Sequence, residues 1–271
     1  MKYQAAVTLL IVMFLGACGN DGNDPAPDPL PSEQPVLPPV STMVMDFTDF
    51  VEGAEDPEGG RTKAKVNFGV AAVNVLVWNT ITLAHVLVPV AAFRATINEE
   101  PKFNIDSGKW IWQKEFLIGN TTHSSMLTAE VVGVNVNWAM YISKDGEYSD
   151  FQWYTGQSNL VGTRGSWSLQ FKPSAPTKLL DINWNRNIDG SEADIEYIYS
   201  VAGAQLNGAT IYFERTSDDL LNRFYEIAIP SSETVQILWT EESKAGMIKD
   251  PNFYEDEEFH CWNEDLEDED C

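Results

Sequence analysis

Three histidines are the only side chains in this sequence whose ordinary pKa lies near neutrality, so they bound the acid–base chemistry open to the chain. His85 lies in a long apolar run together with Asn74, Asn79 and Thr82, polar residues at near-helical spacing. These four form the candidate ligand-binding stripe: a few polar groups on an apolar wall are what orients a mainly apolar guest. The competing reading is a hydrogen-bonded core histidine with no ligand. His123 sits in Thr121-Thr122-His123-Ser124-Ser125, where hydroxyls and an imidazole are neighbours. A nucleophilic serine also needs a positioned carboxylate and an oxyanion site, and the Gly-x-Ser-x-Gly elbow is missing from the sequence. That stretch reads as a polar link between strands.

His260 precedes Cys261, and adjacent side chains point apart, which disfavours a zinc site there. Ten residues between Glu255 and Asp270 are acidic, the composition a hard cation prefers, yet their spacing matches no twelve-residue calcium loop. The run from Asn183 to Asp194 alternates Asn, Asp and Glu as such a loop does, but it falls between two strand patterns and reads first as a hairpin. Gly162-Thr163-Arg164-Gly165 precedes a strand instead of opening a helix, so it is a turn and not a phosphate cradle. The sequence holds no dinucleotide, Walker, Cys-x-x-Cys or His-Glu-x-x-His motif. No catalytic residue, metal or cofactor is expected, and the protein reads as a non-enzyme.

The elements that would position these residues follow from the rest of the chain. Residues 1–17 have the parts of an export signal: Lys2, an apolar run from Ala5 to Phe14, and small residues before a cysteine. Leu15-Gly16-Ala17-Cys18 resembles the lipobox of bacterial lipoproteins. The resemblance implies cleavage before Cys18, a lipid on its sulfur, and attachment to a membrane through that lipid. Gly19, standing where aspartate signals inner-membrane retention, implies delivery to the outer membrane. Residues 18–42 are rich in Pro, Asp, Asn, Gly and Ser and carry seven of the fourteen prolines, which reads as a tether. Extended at about 3.1 Å per residue it spans on the order of 70 Å. An exported chain meets oxidising conditions, so Cys261 and Cys271, the pair left after lipidation, are expected to form a disulfide closing the acidic tail 255–271. The formal charge of −24 repels phosphate backbones and excludes nucleic acid as a partner.

A single β domain is expected over 43–254. A polar loop from Val51 to Thr62 leads into Val66–Phe93, which has no charged residue. That stretch predicts one long apolar helix, about 66–97, with Pro89 bending it; two buried strands are the alternative, because Val73, Val75, Val77 and then Val86, Val88, Val90 alternate. After Trp110 come about nine short alternating runs with turn residues between them. Asp145-Gly146, Asp189-Gly190 and Asn207-Gly208 supply tight turns. The fold class is therefore mainly β, an antiparallel up-and-down meander expected to close into a barrel, with a sandwich as the alternative and the helix packed on or in it. Trp112, Trp138, Trp167, Trp184 and Trp239 sit in alternating runs and belong to the core. The plan resembles lipocalin-like domains over residues 66–240, but places its long helix before the strands. The stretch His260-Cys261-Trp262 with Cys271 resembles that of uncharacterised envelope lipoproteins of Gram-negative bacteria. A membrane, a small apolar ligand and another envelope component are the partners these readings imply, with a purely structural or protective surface protein as the alternative.

Overall fold

The computed structural model describes residues 33–45, 47–50, 64–218 and 220–271, and of 81–84 the backbone alone. The leader, Cys18, the first part of the tether and the 51–62 loop lie outside those residues. Fourteen strands follow one another in chain order within one sheet: β1 (Lys102–Asn104), β2 (Lys109–Ile118), β3 (Thr121–Val132), β4 (Asn135–Lys144), β5 (Tyr148–Asn159), β6 (Arg164–Lys172), β7 (Ala175–Arg186), β8 (Ala193–Tyr199), β9 (Thr210–Arg215), β10 (Arg223–Ala228), β11 (Val235–Trp239), β12 (Gly246–Lys249), β13 (His260–Trp262) and β14 (Asp268–Glu269). Every neighbouring pair is antiparallel. The expected turn glycines Gly146, Gly190 and Gly208 have φ of 73°, 76° and 89°, the left-handed region a side chain disfavours.

The meander does not close into the expected barrel. Its end strands are β1, three residues long, and β14, two residues long, and they do not pair with each other. Closure needs end strands long enough to share a ladder. Here the strands shorten from the twelve residues of β7 to the two of β14. The expected count falls short because β3 begins inside Thr121–Ser125, taken from sequence as a link, and because β1, β12, β13 and β14 are too brief to show alternation.

Apart from register shifts at Trp153 and Leu179, the side chains alternate between two faces. One face carries Trp112, Leu127, Trp138, Tyr154, Trp167, Ile182, Trp184, Tyr197, Tyr225 and Trp239, all buried. Three glycines on this face make room for indoles. Gly156, Gly165 and Gly246 each lie directly opposite a tryptophan, Trp167, Trp184 and Trp262 respectively. A Cβ on Gly165 would stand 2.5 Å from Cζ2 of Trp184, and one on Gly246 2.5 Å from Cζ2 of Trp262. Without a side chain opposite, each ring lies flat across the neighbouring strand.

Helix α1 (Val66–Thr96) covers this face. It is not the one long apolar helix expected from sequence. Its arms Val66–Thr80 and His85–Thr96 meet at 71°, and among the described residues no single helix is long and apolar enough to cross a membrane. Pro89 offers no N–H to the carbonyl of His85 and its ring crowds that carbonyl, which weakens the ladder at the bend. Ala71, Val75, Trp78, Ala92 and Phe93 are buried against the sheet, while Val73, Val77 and Leu87 face outward. Residues 33–50 belong to the same compact body, with turns at Val40–Thr42 and Thr48–Phe50. Met43, Met45, Phe47 and Phe50 are buried in the core, so the chain from Glu33 to Thr42, read as tether, already lies on the domain.

The acidic tail has a structural task. Asp268 accepts hydrogen bonds from the Val66 and Asn67 amides at 3.2 and 2.9 Å, capping the N-terminus of α1 with a negative charge. Asn67 donates to the Cys261 carbonyl at 2.8 Å and accepts from the Tyr254 hydroxyl at 2.8 Å. The sulfurs of Cys261 and Cys271 are at bonding distance and hold β13 and β14 together. Replacing both cysteines with serine should lower stability by roughly 2–3 kcal/mol in the loop-entropy account, and Asp268→Ala by about 1 kcal/mol. Denaturant unfolding measures both, and an unchanged midpoint in the double serine variant would remove the tail from the stabilising framework.

Candidate functional site

The structure separates Asn74 from His85, two of the four residues of the expected ligand stripe. Asn74 on the first arm of α1 donates to the Val70 carbonyl at 3.0 Å and to Asp250 Oδ2 at 3.1 Å. Asp250 is itself buried and caps the short helix α2 (Pro251–Tyr254) through the Asn252 amide. Asn79 is half-buried and engaged in an interaction of its own. Thr82 lies in the bend, where side chains are not described. His85 opens the second arm and meets the Phe171 ring edge-on at 5.1 Å. Burial, and then the charge of Lys172, lower its pKa. Asn74 thus faces the chain after β12 and His85 the end of β6, on opposite sides of the bend. They do not converge on a common guest.

His123 and His260 are also accounted for by packing. His123 is buried, shares a hydrogen bond of 3.1 Å with the Thr121 carbonyl, and stacks on Phe116. His260 stacks on Tyr254 at 3.6 Å and lies 3.2 Å from Asp256. Among the described residues no group of three His, Cys, Asp or Glu side chains is placed to hold a metal ion. The run Asn183–Asp194 is the β7–β8 hairpin, its polar side chains paired within it: Asn185 with Asp194, and Asp189 with Ser191.

The inner face leaves little for a ligand because α1 and residues 33–50 occupy it. The covering segment also supplies acceptors. Trp167 Nε1 donates to Thr42 Oγ1 at 3.2 Å and Trp239 Nε1 to Asp49 Oδ2 at 2.9 Å. The Tyr197 hydroxyl donates to the Met43 carbonyl and accepts from the Met45 amide, both at 2.8 Å. All five tryptophans assigned to the core from sequence are buried.

The other face of the sheet is polar and uncovered by either element. Register places Glu130, Asn137, Gln157, Ser166, Asn183, Glu196, Tyr212, Glu226 and Gln236 in one row across successive strands. Neighbours in the row bond to each other, Gln157 to Asn137 at 3.0 Å, Asn183 to Glu196 at 3.0 Å and Gln236 to Glu226 at 2.9 Å. Open concavities of about 340, 300 and 520 Å³ lie along the sheet, the first over β2–β5 around Tyr141, the second over β4–β7 around Gln157, the third at the ends of β6–β9. Arg164, Arg186 and Arg215 line the largest. Sequence reasoning missed this corner because the three arginines come from three strands, and only register brings them together.

Tyr212, in the polar row, has its pKa pushed up to about 12, first by burial and then by Asp194, Glu214, Glu196 and Glu226 around it. Tyr254 reaches about 12 through burial and then Asp268, Asp250 and Asp256. Burial raises Tyr154 and Tyr197 further.

Comparison with protein-family models, with curated proteins and with solved structures gives no match to this chain.

An unfolded tyrosine ionises near pH 10. The folded protein keeps those protons longer, so the stability they contribute is whole below about pH 10 and is lost as pH rises toward 12 and beyond. Phenolate absorbance should therefore rise together with cooperative unfolding, and Tyr212→Phe should shift that alkaline transition upward. Ionisation of all nine tyrosines near the ordinary value, with the fold intact, would contradict the burial described here.

Proposed function

We propose that this chain is a non-enzymatic envelope lipoprotein, carried to the outer membrane, held there by a lipid on Cys18, and presenting the polar face of its sheet to another envelope component. The observation that carries the reading is the asymmetry of the two faces. The apolar face is filled by protein, with α1 and residues 33–50 packed on its tryptophans and tyrosines. The polar face carries the row of amides, hydroxyls and carboxylates and the open concavities over β2–β7. A small-molecule carrier needs an apolar cavity lined by a few orienting polar groups. Here the intended orienting groups, Asn74 and His85, are turned to different parts of the fold.

The anchor rests on Leu15-Gly16-Ala17-Cys18. Net charge supports a lipid in that role, because −24 opposes adsorption to anionic headgroups. The partner's chemistry follows from the same charge: a neutral or cationic surface rich in hydrogen-bonding groups meets the polar row without repulsion. A structural or protective surface protein is the second reading, favoured by the pairing of row residues with one another, which satisfies them without a partner.

Two experiments separate these readings from the apolar carrier. Cys18→Ser should move the protein from the membrane fraction to soluble material or to an unprocessed precursor; a variant still lipidated by mass spectrometry removes the anchor assignment. Extraction of the purified wild type with organic solvent, followed by refolding, should leave the unfolding temperature unchanged. A drop in that temperature, restored by the extract, would return the protein to the class of apolar-ligand carriers.

A further inference from the structure

An exposed aliphatic side chain standing singly is ordinary, but several gathered at one corner of the sheet call for an explanation. The β3–β4 hairpin turns on Gly133 and Val134 and brings Val131 and Val132 with it. The turn between β5 and β6, at the same end of the sheet, carries Leu160 and Val161. The two turns are joined, the Leu160 amide donating to the Val134 carbonyl at 3.3 Å. Val36 completes the cluster: a Cβ built on Gly162 would lie 3.2 Å from its Cγ1. All of these aliphatic side chains are exposed, Val134 to 73% and Val161 to 58%.

Charge sets the corner apart as well. In a chain of formal charge −24, the stretches 34–45, 131–143 and 151–163 that build it hold no Asp, Glu, Lys or Arg. At the far end of the same strands the β4–β5 turn reads Lys144-Asp145-Gly146-Glu147, with Lys144 paired to Glu147. The corner is also where the compact body begins, since Glu33, its first residue, precedes Val36 by three positions. Fourteen residues, 19–32, separate Glu33 from Cys18. A chain of that length reaches at most about 50 Å, so a lipid on Cys18 keeps the corner close to the bilayer that the lipid enters.

We propose that this corner rests on the bilayer surface, with Val134 and Val161 leading the aliphatic side chains into the boundary between headgroups and acyl chains. The inference builds on the lipid-anchor reading and adds an orientation to it: β3–β6 stand on end, and the polar face of the sheet is held upright beside the membrane. A lipid surface suits the corner better than a second copy of the chain. A stable protein interface uses about 20–30 residues a side, far more than gather here. Shallow burial of a few apolar groups, by contrast, adds usefully to a lipid that already holds the chain at the surface. The lack of charge spares the contact the cost of dehydrating ions.

Lipidation occupies Cys18 and the disulfide occupies Cys261 and Cys271, so one introduced cysteine takes an environment-sensitive dye in the mature full-length chain. In phosphatidylcholine vesicles, bromine on the acyl chains should quench a dye at Val134→Cys and leave one at Asp145→Cys, at the other end of β4, unchanged. Val36→Asp together with Val161→Asp, read by the dye at position 134, should lower the fraction in contact by about tenfold or more. Should that pair disturb folding, Val36→Ser with Val161→Ser carries the same comparison. The proposal is overturned if the dye at 134 is quenched no more than the dye at 145, if a dye at Val77→Cys on α1 is the one quenched, or if contact survives the substitutions. Association of copies in sedimentation, with the dye at 134 shielded from bromine, overturns it in favour of a second copy. Mass spectrometry keeps the two readings apart. A chain lipidated on Cys18 with an unquenched dye at 134 retains the anchor and loses the corner. A chain without lipid loses the anchor, and the same quenching with vesicles in excess then decides the corner.

Discussion

A tryptophan buried on a sheet brings an N–H group that is costly to leave without an acceptor; Trp110, Trp112, Trp153 and Trp184 go without one, and the acceptors given to the others shape the molecule. An indole donor left without one costs about 1–3 kcal/mol, and the inner face carries many such rings. A purely apolar lid cannot answer them. The segment laid across the sheet therefore holds Thr42 over Trp167, Asp49 over Trp239, and the backbone of Met43 and Met45 on either side of the Tyr197 hydroxyl. Trp138 is served from within the sheet by Ser158, and Trp262 by the Lys244 carbonyl. The path of residues 42–50 is thus dictated by polar atoms, although nearly everything it touches is apolar. Helix α1 turns Ala71, Val75, Trp78, Ala92 and Phe93 to the face and uses its polar side chains Asn67, Asn74 and Thr96 to bond other parts of the fold.

That division of labour leaves the other face of the sheet uncovered. The face opposite α1 is built from short side chains with both donors and acceptors, which bond across strands as Asn183 does with Glu196. Such a face resists adsorption of apolar molecules and, with the surplus of acid around Tyr212, of polyanions as well. The corner at Arg186 and Arg215 mixes both signs of charge, Arg164, Arg186 and Arg215 standing among Glu192, Asp194 and Glu214.

How much of this was legible in the sequence depends on the range of the interactions concerned. Alternation of Trp, Val and Ile with polar residues is a local signal, and it placed Trp112, Trp138, Trp167, Trp184 and Trp239 in the core. The glycines of Asp145-Gly146 and Asp189-Gly190 did the same for turns. Strands of two or three residues, such as β13 and β14, have no period to detect. β3 was obscured because Thr121 to Ser125 are small and polar, although Ser125 is buried, donating to the Lys114 carbonyl and sharing a hydrogen bond with Thr96. Closure into a barrel could not be read from strand order, since it depends on the lengths of the two end strands. The Asn74–His85 stripe assumed a straight helix, and the 71° bend puts those two residues on different arms. Trp184 was legible as core, but its lack of an acceptor depends on contacts that no local pattern shows.

The reach of the contacts made by residues 42–67 bears on how the chain acquires its fold. Asp49 is 190 positions from the indole it accepts from, and Asn67 is 201 positions from the carboxylate that caps its amide. Contacts of this span bring a loop-closure cost that must be met before they stabilise anything, so a topology of this kind folds slowly. The first residues of the domain to emerge in any N-to-C delivery are those whose partners emerge last. Until β11 and the C-terminal tail arrive, α1 has no complete surface to pack on, and its valines stay open to solvent. Safe assembly then depends on how fast the last thirty or so residues follow and on what shields that helix in the interval.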